Sequence, residues 1–272
     1  MRKISLLLLL ALLSLGLCSQ ALAEELMMAT TTSTDNTGLL DELAPAFEAD
    51  TGITLKWSAM GTGKALKFGQ DCNCDVLLVH APAAEKAYVA DGYGVDRTQL
   101  MYNDFVIIGP KADPAGVKGM DVKQALTTIA DKGAVFLSRG DDSGTNKKEI
   151  SLWKAAGMAV PDKDAWYVQS GQGMLATINM AAEKGGYTMT DRGTYIKYEA
   201  SKDGNPPLVI LVEGDKVLFN QYSAIAVNPE NCPNAKYELA KKFIAWMASP
   251  ATQQRIADFR LMGKQLFTPN AE

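Results

Sequence analysis

The residues best suited to chemistry are the small donors and the single arginine of Ser138–Asn146 (Ser-Arg-Gly-Asp-Asp-Ser-Gly-Thr-Asn). Gly-Asp-Asp is typical of a turn, and Ser143 or Thr145 can cap a helix that follows it. The free N–H groups and the positive dipole end of such a helix attract an anion, and Arg139 adds a rigid fork of donors. Because the segment contains no catalytic base, it predicts a site that holds an anion, although a simple capped helix has the same pattern.

Three further segments show the order strand, hydroxyl- or glycine-bearing turn, helix, with turns at Thr30–Gly38, Ser58–Lys64 and Gln169–Gly173. Five consecutive Ser/Thr residues at 30–34 are more than a helix cap requires, which favours anion binding there. Alternating strands and helices predict an α/β fold, in which such turns gather at the carboxyl ends of parallel strands.

Two other candidate motifs do not predict a site of their own. Gly61–Lys64 resembles part of a P-loop, but Ser58 and Ala65 stand where that pattern needs Gly and Ser/Thr, so we exclude a nucleotide site and expect Lys64 to be solvated. His80 is the only histidine and has no partner at a recognisable spacing. We therefore expect it in a structural role or in the wall of a cleft.

The remaining pattern predicts the elements that position these turns. The extended runs 97–109 and Gln221–Val227 are expected to cross between two domains, and Tyr187–Ile196 has the composition of a strand. Pro45 is expected to kink or interrupt the helix that begins at Leu39, and Thr51-Gly52 to end it.

The N-terminus predicts a signal peptide over residues 1–23. Arg2 and Lys3 precede the apolar run Ile4–Leu17, and Ala21-Leu22-Ala23 suits cleavage before Glu24. A lipid anchor on Cys18 is disfavoured by the bulky Leu17. We expect an exported, periplasmic protein; its formal net charge of −4, made more negative by loss of the leader, argues against nucleic acid or an anionic membrane as partner.

Three cysteines follow the leader: Cys72, Cys74 and Cys232. One intervening residue makes a bond between Cys72 and Cys74 difficult, and the set does not complete a zinc site. One of the two can pair with Cys232, or all three can remain thiols.

Several long motifs resemble the type II periplasmic solute-binding proteins of ABC transporters, specifically those for tetrahedral oxyanions. Arg139–Thr145 is similar to the Arg-x-Asp-x-Ser-Gly-Thr segment of phosphate binders. Four other segments are similar to those of tungstate binders: Thr30–Gly38, Asp75–Ala81, Asn103–Pro110 and Gly185–Gly193. The resemblance implies two α/β lobes, 24–104 with 216–272 and 105–215, each a mixed, mostly parallel sheet flanked by helices. The chain would cross between the lobes near Asp104 and Val217, with the ligand in the cleft.

The resemblance also implies the ligand and its partners. The ligand would be tungstate or molybdate, delivered to a membrane permease and its ATPase by a monomer without cofactor or enzymatic activity. The implied ligand-binding residues are Thr31, Thr32, Ser33, Thr34 and Thr62 from one lobe and Arg139, Ser143, Gly144 and Thr145 from the other. We expect Ser33, Thr62, Arg139 and Thr145 as side-chain donors, with Asp141 and Asp142 orienting Arg139.

One departure bears on specificity. Phosphate binders place an aspartate at the end of the third strand, where this chain has His80-Ala81-Pro82. A site of donors only suits an anion without a proton, which includes tungstate, molybdate and sulfate. Residue chemistry does not separate tungstate from molybdate, and a binder of sulfate or phosphate, or an enzyme acting on a phosphate ester, remains as an alternative.

Overall fold

The computed structural model describes residues 24–271, so the predicted signal peptide, residues 1–23, lies outside the described residues. The strands are β1 (Glu24–Thr31), β2 (Ile53–Met60), β3 (Val76–Val79), β4 (Gly94–Pro110), β5 (Phe136–Ser138), β6 (Tyr167–Gln169), β7 (Tyr187–Asp191), β8 (Leu208–Val212), β9 (Phe219–Val227), β10 (Arg260–Leu261), β11 (Lys264–Gln265) and β12 (Thr268–Pro269). The longer helices are α1 (Leu39–Thr51), α2 (Thr62–Gln70), α3 (Pro82–Ala90), α4 (Val122–Asp131), α5 (Gly144–Ala155), α6 (Met174–Lys184), α7 (Arg192–Ala200), α8 (Tyr237–Ala248) and α9 (Pro250–Asp258). Within 24–271 no helix has the length and apolar composition that crossing a bilayer requires.

The main sheet is mixed, with the strand order β2-β1-β3-β9-β4-β7-β5-β6. At one end β1 pairs in parallel with β2 and β3, and at the other end β5 pairs in parallel with β6 and β7. Between them β9 and β4 run antiparallel to each other and to their outer neighbours. The α/β class expected from the alternating pattern is therefore confirmed.

Strand β4 connects the two halves of the sheet. Its residues up to Asp104 pair with β9, whereas residues 105–108 pair with β7 and residues 107–110 with β8. The chain returns through a 3₁₀ turn, Lys216–Leu218, that leads directly into β9. Separate apolar cores lie on the two sides: Phe47 and Phe243 belong to one, Trp153 to the other. This is the two-lobe α/β fold.

The prediction of a strand from Tyr187 to Ile196 is wrong beyond Asp191. Strand β7 ends there and helix α7 begins at Arg192. The Asp191 carboxylate caps this helix, accepting from the N–H of Thr194 at 2.8 Å and from its hydroxyl at 2.7 Å. A local cap therefore overrides the strand preference of a Thr- and Tyr-rich segment.

Helix α1 continues through Pro45, so of the two expected effects, a kink or an interruption, the interruption does not occur. Its buried face includes Phe47, whose ring packs edge-on against Phe243 at 5.3 Å and Trp246 at 5.2 Å between centroids. This packing offsets the backbone hydrogen bond that proline cannot make. The helix ends as predicted at Gly52, which has a φ of +72°.

A disulfide joins Cys72, in the turn after α2, to Cys232, in the loop after β9. Cys74 is a buried free thiol. The bond resolves the alternative that the sequence left open and ties two segments 160 residues apart.

Replacing both bonded cysteines, Cys72→Ala/Cys232→Ala, should lower the free energy of unfolding by about 2–5 kcal/mol, because the bond restricts the unfolded chain. Urea denaturation with and without reductant measures this. Wild type and the control Cys74→Ala should respond to reductant, whereas the double variant should not. Identical urea midpoints for oxidised and reduced wild type would contradict the prediction.

Candidate functional site

A small cavity lies where the two halves of the sheet meet, lined by Ser33, His80, Asn103, Phe105, Thr145, Asp191, Asn220 and Tyr222. Ser33 and His80 follow the carboxyl ends of β1 and β3, and Thr145 lies in the first turn of α5. The other wall residues come from β4, β9 and the end of β7. Both lobes therefore contribute polar groups to one cavity.

The hydroxyl-rich turn at 30–34 presents one of its members to this cavity. The Thr31 hydroxyl caps a helical turn, Thr32–Asp35, by accepting from the N–H of Thr34 at 3.2 Å, and it lies 2.6 Å from the Thr34 hydroxyl. Thr31 and Thr34 are buried, whereas Thr32 and Ser33 are exposed. Ser33 is the one that lines the cavity, and Thr31 and Thr34 hold the turn from behind.

Two predicted turns contribute no residue to the cavity lining. Thr62 begins α2, half-buried, and is not a lining residue; Lys64 is exposed, as expected of a solvated side chain. In the turn at 169–173, Ser170 donates to the Arg139 carbonyl at 3.3 Å and shares a hydrogen bond with Thr177 at 2.7 Å. That turn therefore supports the loop that carries Arg139.

The segment Ser138–Asn146 folds as predicted, with a strand end, a turn and a helix. Ser143 is the cap of α5, accepting from the N–H of Asn146 at 3.2 Å, so the choice between Ser143 and Thr145 is resolved in favour of Ser143. The geometry of a helix leaves the N–H groups of Gly144 and Thr145 without intrahelical acceptors. These N–H groups lie next to the Thr145 side chain that lines the cavity.

Arg139 is held by Asp141 and is not a lining residue of the cavity. One carboxylate oxygen of Asp141 accepts from the Arg139 guanidinium at 2.5 Å, and the other accepts from the N–H of Ser143 at 3.2 Å. Burial raises the pKa of Asp141, but these hydrogen bonds outweigh it and leave the pKa below its usual value. Asp142 does not orient Arg139: its exposed carboxylate lies 3.3 Å from Lys147 instead.

A buried carboxylate, Glu149, holds this loop from the interior. It accepts from the Trp153 indole and the Tyr167 hydroxyl, each at 2.7 Å, and from the Ser138 hydroxyl at 2.5 Å. The side-chain amide of Asn146 also donates to it, at 3.4 Å. Burial raises the pKa of Glu149, opposed by these donors. The carboxylate thus fixes the strand end and the first turn of α5 to each other.

His80 lies in the cavity wall. Its Nδ1 is 3.0 Å from the Asn220 side-chain oxygen, and its Nε2 is 3.0 Å from the Thr31 hydroxyl and 3.1 Å from that of Ser33. Its ring stacks on Tyr222 with centroids 4.7 Å apart. Burial lowers the pKa of the imidazole, opposed by the Asn220 hydrogen bond and the Asp191 charge. Among residues 24–271 no cluster of three or more His, Cys, Asp or Glu side chains could hold a metal ion.

Sequence reasoning missed the wall residues that the crossing strands supply. Asn103 and Asn220 face each other across β4 and β9, and the Asn220 amide donates to the Asn103 oxygen at 2.8 Å. Both are buried, and a buried amide inside a strand requires such a partner. The polar residues inside the two long extended runs were therefore the feature of the sequence from which these wall residues could have been predicted.

The expectation of a site lined by donors only is wrong at Asp191. Its carboxylate lines the cavity, although both of its oxygens already accept hydrogen bonds from Thr194. Strand β7 brings Asp191 opposite Phe105 of β4, a pairing that no local motif predicts.

The comparisons with known proteins agree with the two-lobe fold. A PBP superfamily domain matches residues 19–251. The tungstate-binding protein TupA of Campylobacter jejuni is 56% identical over 240 residues, covering 88% of this chain and 89% of that protein. The solved structure of the tungstate-binding protein TupA from Desulfovibrio alaskensis is 74% identical, with a TM-score of 0.90 and coverage of 92% of this chain and all of that one. The tungstate ABC transporter structure from Geobacter sulfurreducens is 49% identical, with a TM-score of 0.76 and coverage of 87% and 99%.

Glu149→Gln should lower the free energy of unfolding by about 1–3 kcal/mol, since the new amide NH₂ faces donors that lose their acceptor. Urea denaturation measures the loss. Glu183→Gln makes the same chemical change at an exposed position of α6 and should be nearly neutral. Equal stability of the two variants would show that the buried network contributes nothing.

Because the pKa of His80 is lowered in the folded protein, the free energy of unfolding should decrease as the pH is lowered. Below about pH 6.5 the unfolded chain binds a proton that the folded protein does not, so acidification favours unfolding. His80→Gln removes this contribution. Because the sequence contains one histidine, the difference between the two stability curves from about pH 8 to about pH 5 isolates it. A difference that stays constant across this range would rule the prediction out.

Proposed function

We propose that this chain, which belongs to the PBP superfamily, is an exported solute-binding protein that captures tungstate for an ABC transporter. The observation that carries the proposal is the cavity between the lobes, where the Ser33 hydroxyl and the first turn of α5 meet. Relatives with 56% and 74% identity are named tungstate-binding proteins.

The anion would be held by groups from both lobes. Ser33 supplies a hydroxyl from one side; Thr145 supplies a hydroxyl from the other, together with the N–H groups of Gly144 and Thr145. Helix α5 is 12 residues long, which is enough for its dipole to favour an anion at this end. Because the net charge of the chain is negative and repels an anion, the attraction must come from these local groups.

The full proposed contact set is the one expected from the sequence: Thr31, Thr32, Ser33, Thr34, Thr62, Arg139, Ser143, Gly144 and Thr145. Within it, Thr31 acts through its 3.1 Å hydrogen bond with the Ser33 hydroxyl. Arg139 does not line the cavity in this structure, and we propose that it turns toward the anion while Asp141, which also accepts from the Ser143 N–H, keeps it beside the start of the helix.

The lobes proposed to close over the anion are residues 24–104 with 216–272 and residues 105–215. We propose capture without chemical change, in the periplasm after removal of residues 1–23, by a monomer that delivers its ligand to a permease and its ATPase. The names of the relatives favour tungstate over molybdate.

A second candidate ligand is phosphate, favoured by one observation. The Asp191 carboxylate in the cavity wall is an acceptor that could receive the proton of hydrogen phosphate. Both oxygens of Asp191 already accept hydrogen bonds from Thr194, so the carboxylate is less available to accept that proton. We therefore rank tungstate first.

Isothermal titration calorimetry of the chain from Glu24 should show 1:1 binding of tungstate, weaker binding of molybdate, and no displacement by excess phosphate or sulfate. Arg139→Ala should lower the tungstate affinity by about 10- to 100-fold, because a charge-assisted hydrogen bond is lost. Lys64→Ala, which removes an exposed cation outside the cavity, is the matched control.

Two results would contradict the proposal. If phosphate bound more tightly than tungstate, the ligand would be phosphate, the second candidate. Equal affinities of the Arg139→Ala and Lys64→Ala variants would remove Arg139 from the site.

A further inference from the structure

A chain of hydrogen bonds through the crossing strands determines which nitrogen of His80 carries hydrogen. The Asn220 amide nitrogen donates to the Asn103 oxygen at 2.8 Å, which directs the Asn220 oxygen to His80 Nδ1 at 3.0 Å. Because an amide oxygen only accepts, Nδ1 must be the protonated nitrogen. In a neutral ring Nε2 is then an acceptor.

That acceptor faces the hydroxyls proposed to hold the anion. Nε2 lies 3.0 Å from the Thr31 hydroxyl and 3.1 Å from the Ser33 hydroxyl, and the two hydroxyls are 3.1 Å apart. A hydroxyl has a single hydrogen to donate. A hydroxyl that donates to a neutral His80 therefore has none left for an oxyanion.

We propose that His80 takes up one proton when the anion binds, which reverses the hydrogen bond at Nε2 and frees the Ser33 hydroxyl, directly or through its hydrogen bond with Thr31, to donate to the anion. The proton comes from solvent and forms an N–H bond at Nε2. The imidazolium then donates to a hydroxyl oxygen, and the released hydroxyl hydrogen points into the cavity. The anion itself is unchanged, and this inference rests on the proposed function.

The charged and titratable groups on the neighbouring elements are Asp191, Tyr222, Asp35 and Glu85. Asp191 lines the same cavity from the other lobe, and its negative charge favours the imidazolium. Tyr222 stacks on the ring and is held neutral by burial, which raises its pKa. Asp35 and Glu85 are engaged elsewhere, with the Trp57 indole at 2.7 Å and with Arg97 at 2.7 Å.

Burial favours the neutral form of His80 in the protein without ligand, and a bound dianion favours the charged form. Burial lowers the pKa of His80 in the protein without ligand. A double negative charge held by Ser33 would lie next to the imidazole and favour its charged form. Proton uptake is then linked to binding, and the tungstate affinity must rise as the pH falls.

The test is calorimetry of tungstate binding at about pH 7.5, near the range where histidine titrates, in Tris and in HEPES. These buffers differ in protonation enthalpy, so the dependence of the observed enthalpy on buffer gives the protons taken up. Wild type should take up a substantial fraction of one proton, and its affinity should rise several-fold from about pH 8.5 to about pH 6.5. The variants His80→Gln and His80→Asn should still bind tungstate, although more weakly, and should take up no proton at this position.

A second readout needs no variant. Because His80 is the only histidine in the sequence, its ring protons give one set of imidazole signals in a ¹H NMR titration. The imidazole pKa from this titration should be higher with tungstate than without it. Wild type that binds with no uptake and no change in this pKa overturns the proposal and leaves the proposed function standing. Uptake that persists in His80→Gln also overturns it, and absence of tungstate binding by wild type overturns both.

Discussion

The antiparallel pairing of β4 with β9 is the constraint on which the site depends. Its register sets Asn103 against Asn220 and Asp104 against Phe219, at the point where β4 leaves one half of the sheet for the other. Asn103 fixes Asn220, and Asn220 fixes the ring of His80. A shift of the register by one residue would turn these amides to the opposite face of the sheet and remove them from the wall of the cavity.

Local chemistry made much of the fold predictable from the sequence. Three features depend on residues within a few positions: a helix cap at Ser143 or Thr145, the glycine end of α1 at Gly52, and the apolar faces of the helices. Contacts between distant segments were not predictable, because no short pattern records which strand lies beside which. Asp191 and Asn220 reach the cavity only through such pairings, and the partner of Cys232 was open for the same reason.

The charges around the site divide into those that attract an anion and those that hold the attracting groups. In the proposed site Arg139, the helix α5 dipole and the hydroxyls would attract it, whereas Asp141 and Glu149 accept hydrogen bonds that position these groups. Ser138 and Asn146 donate to Glu149 and so connect it to the loop. These donors compensate a buried carboxylate beside the proposed anion site, and its role there is to fix the geometry of the loop.

Helix α7 links the position of Asp191 to the relation between the lobes. Ile196 packs in the core that contains Leu266 and Phe267, while Tyr198 belongs to a core of the other lobe. At the start of the helix the Arg192 guanidinium holds Asp104 through two hydrogen bonds, at 2.5 and 2.6 Å, beside the crossing of β4. Farther along, Lys197 donates to the carbonyl of Asn36, next to the hydroxyl-rich turn. A single short helix therefore contacts the crossing, both cores and one wall of the cavity. A relative movement of the lobes would displace this helix against at least one of the two cores, and with it Asp191, which lines the same cavity as His80.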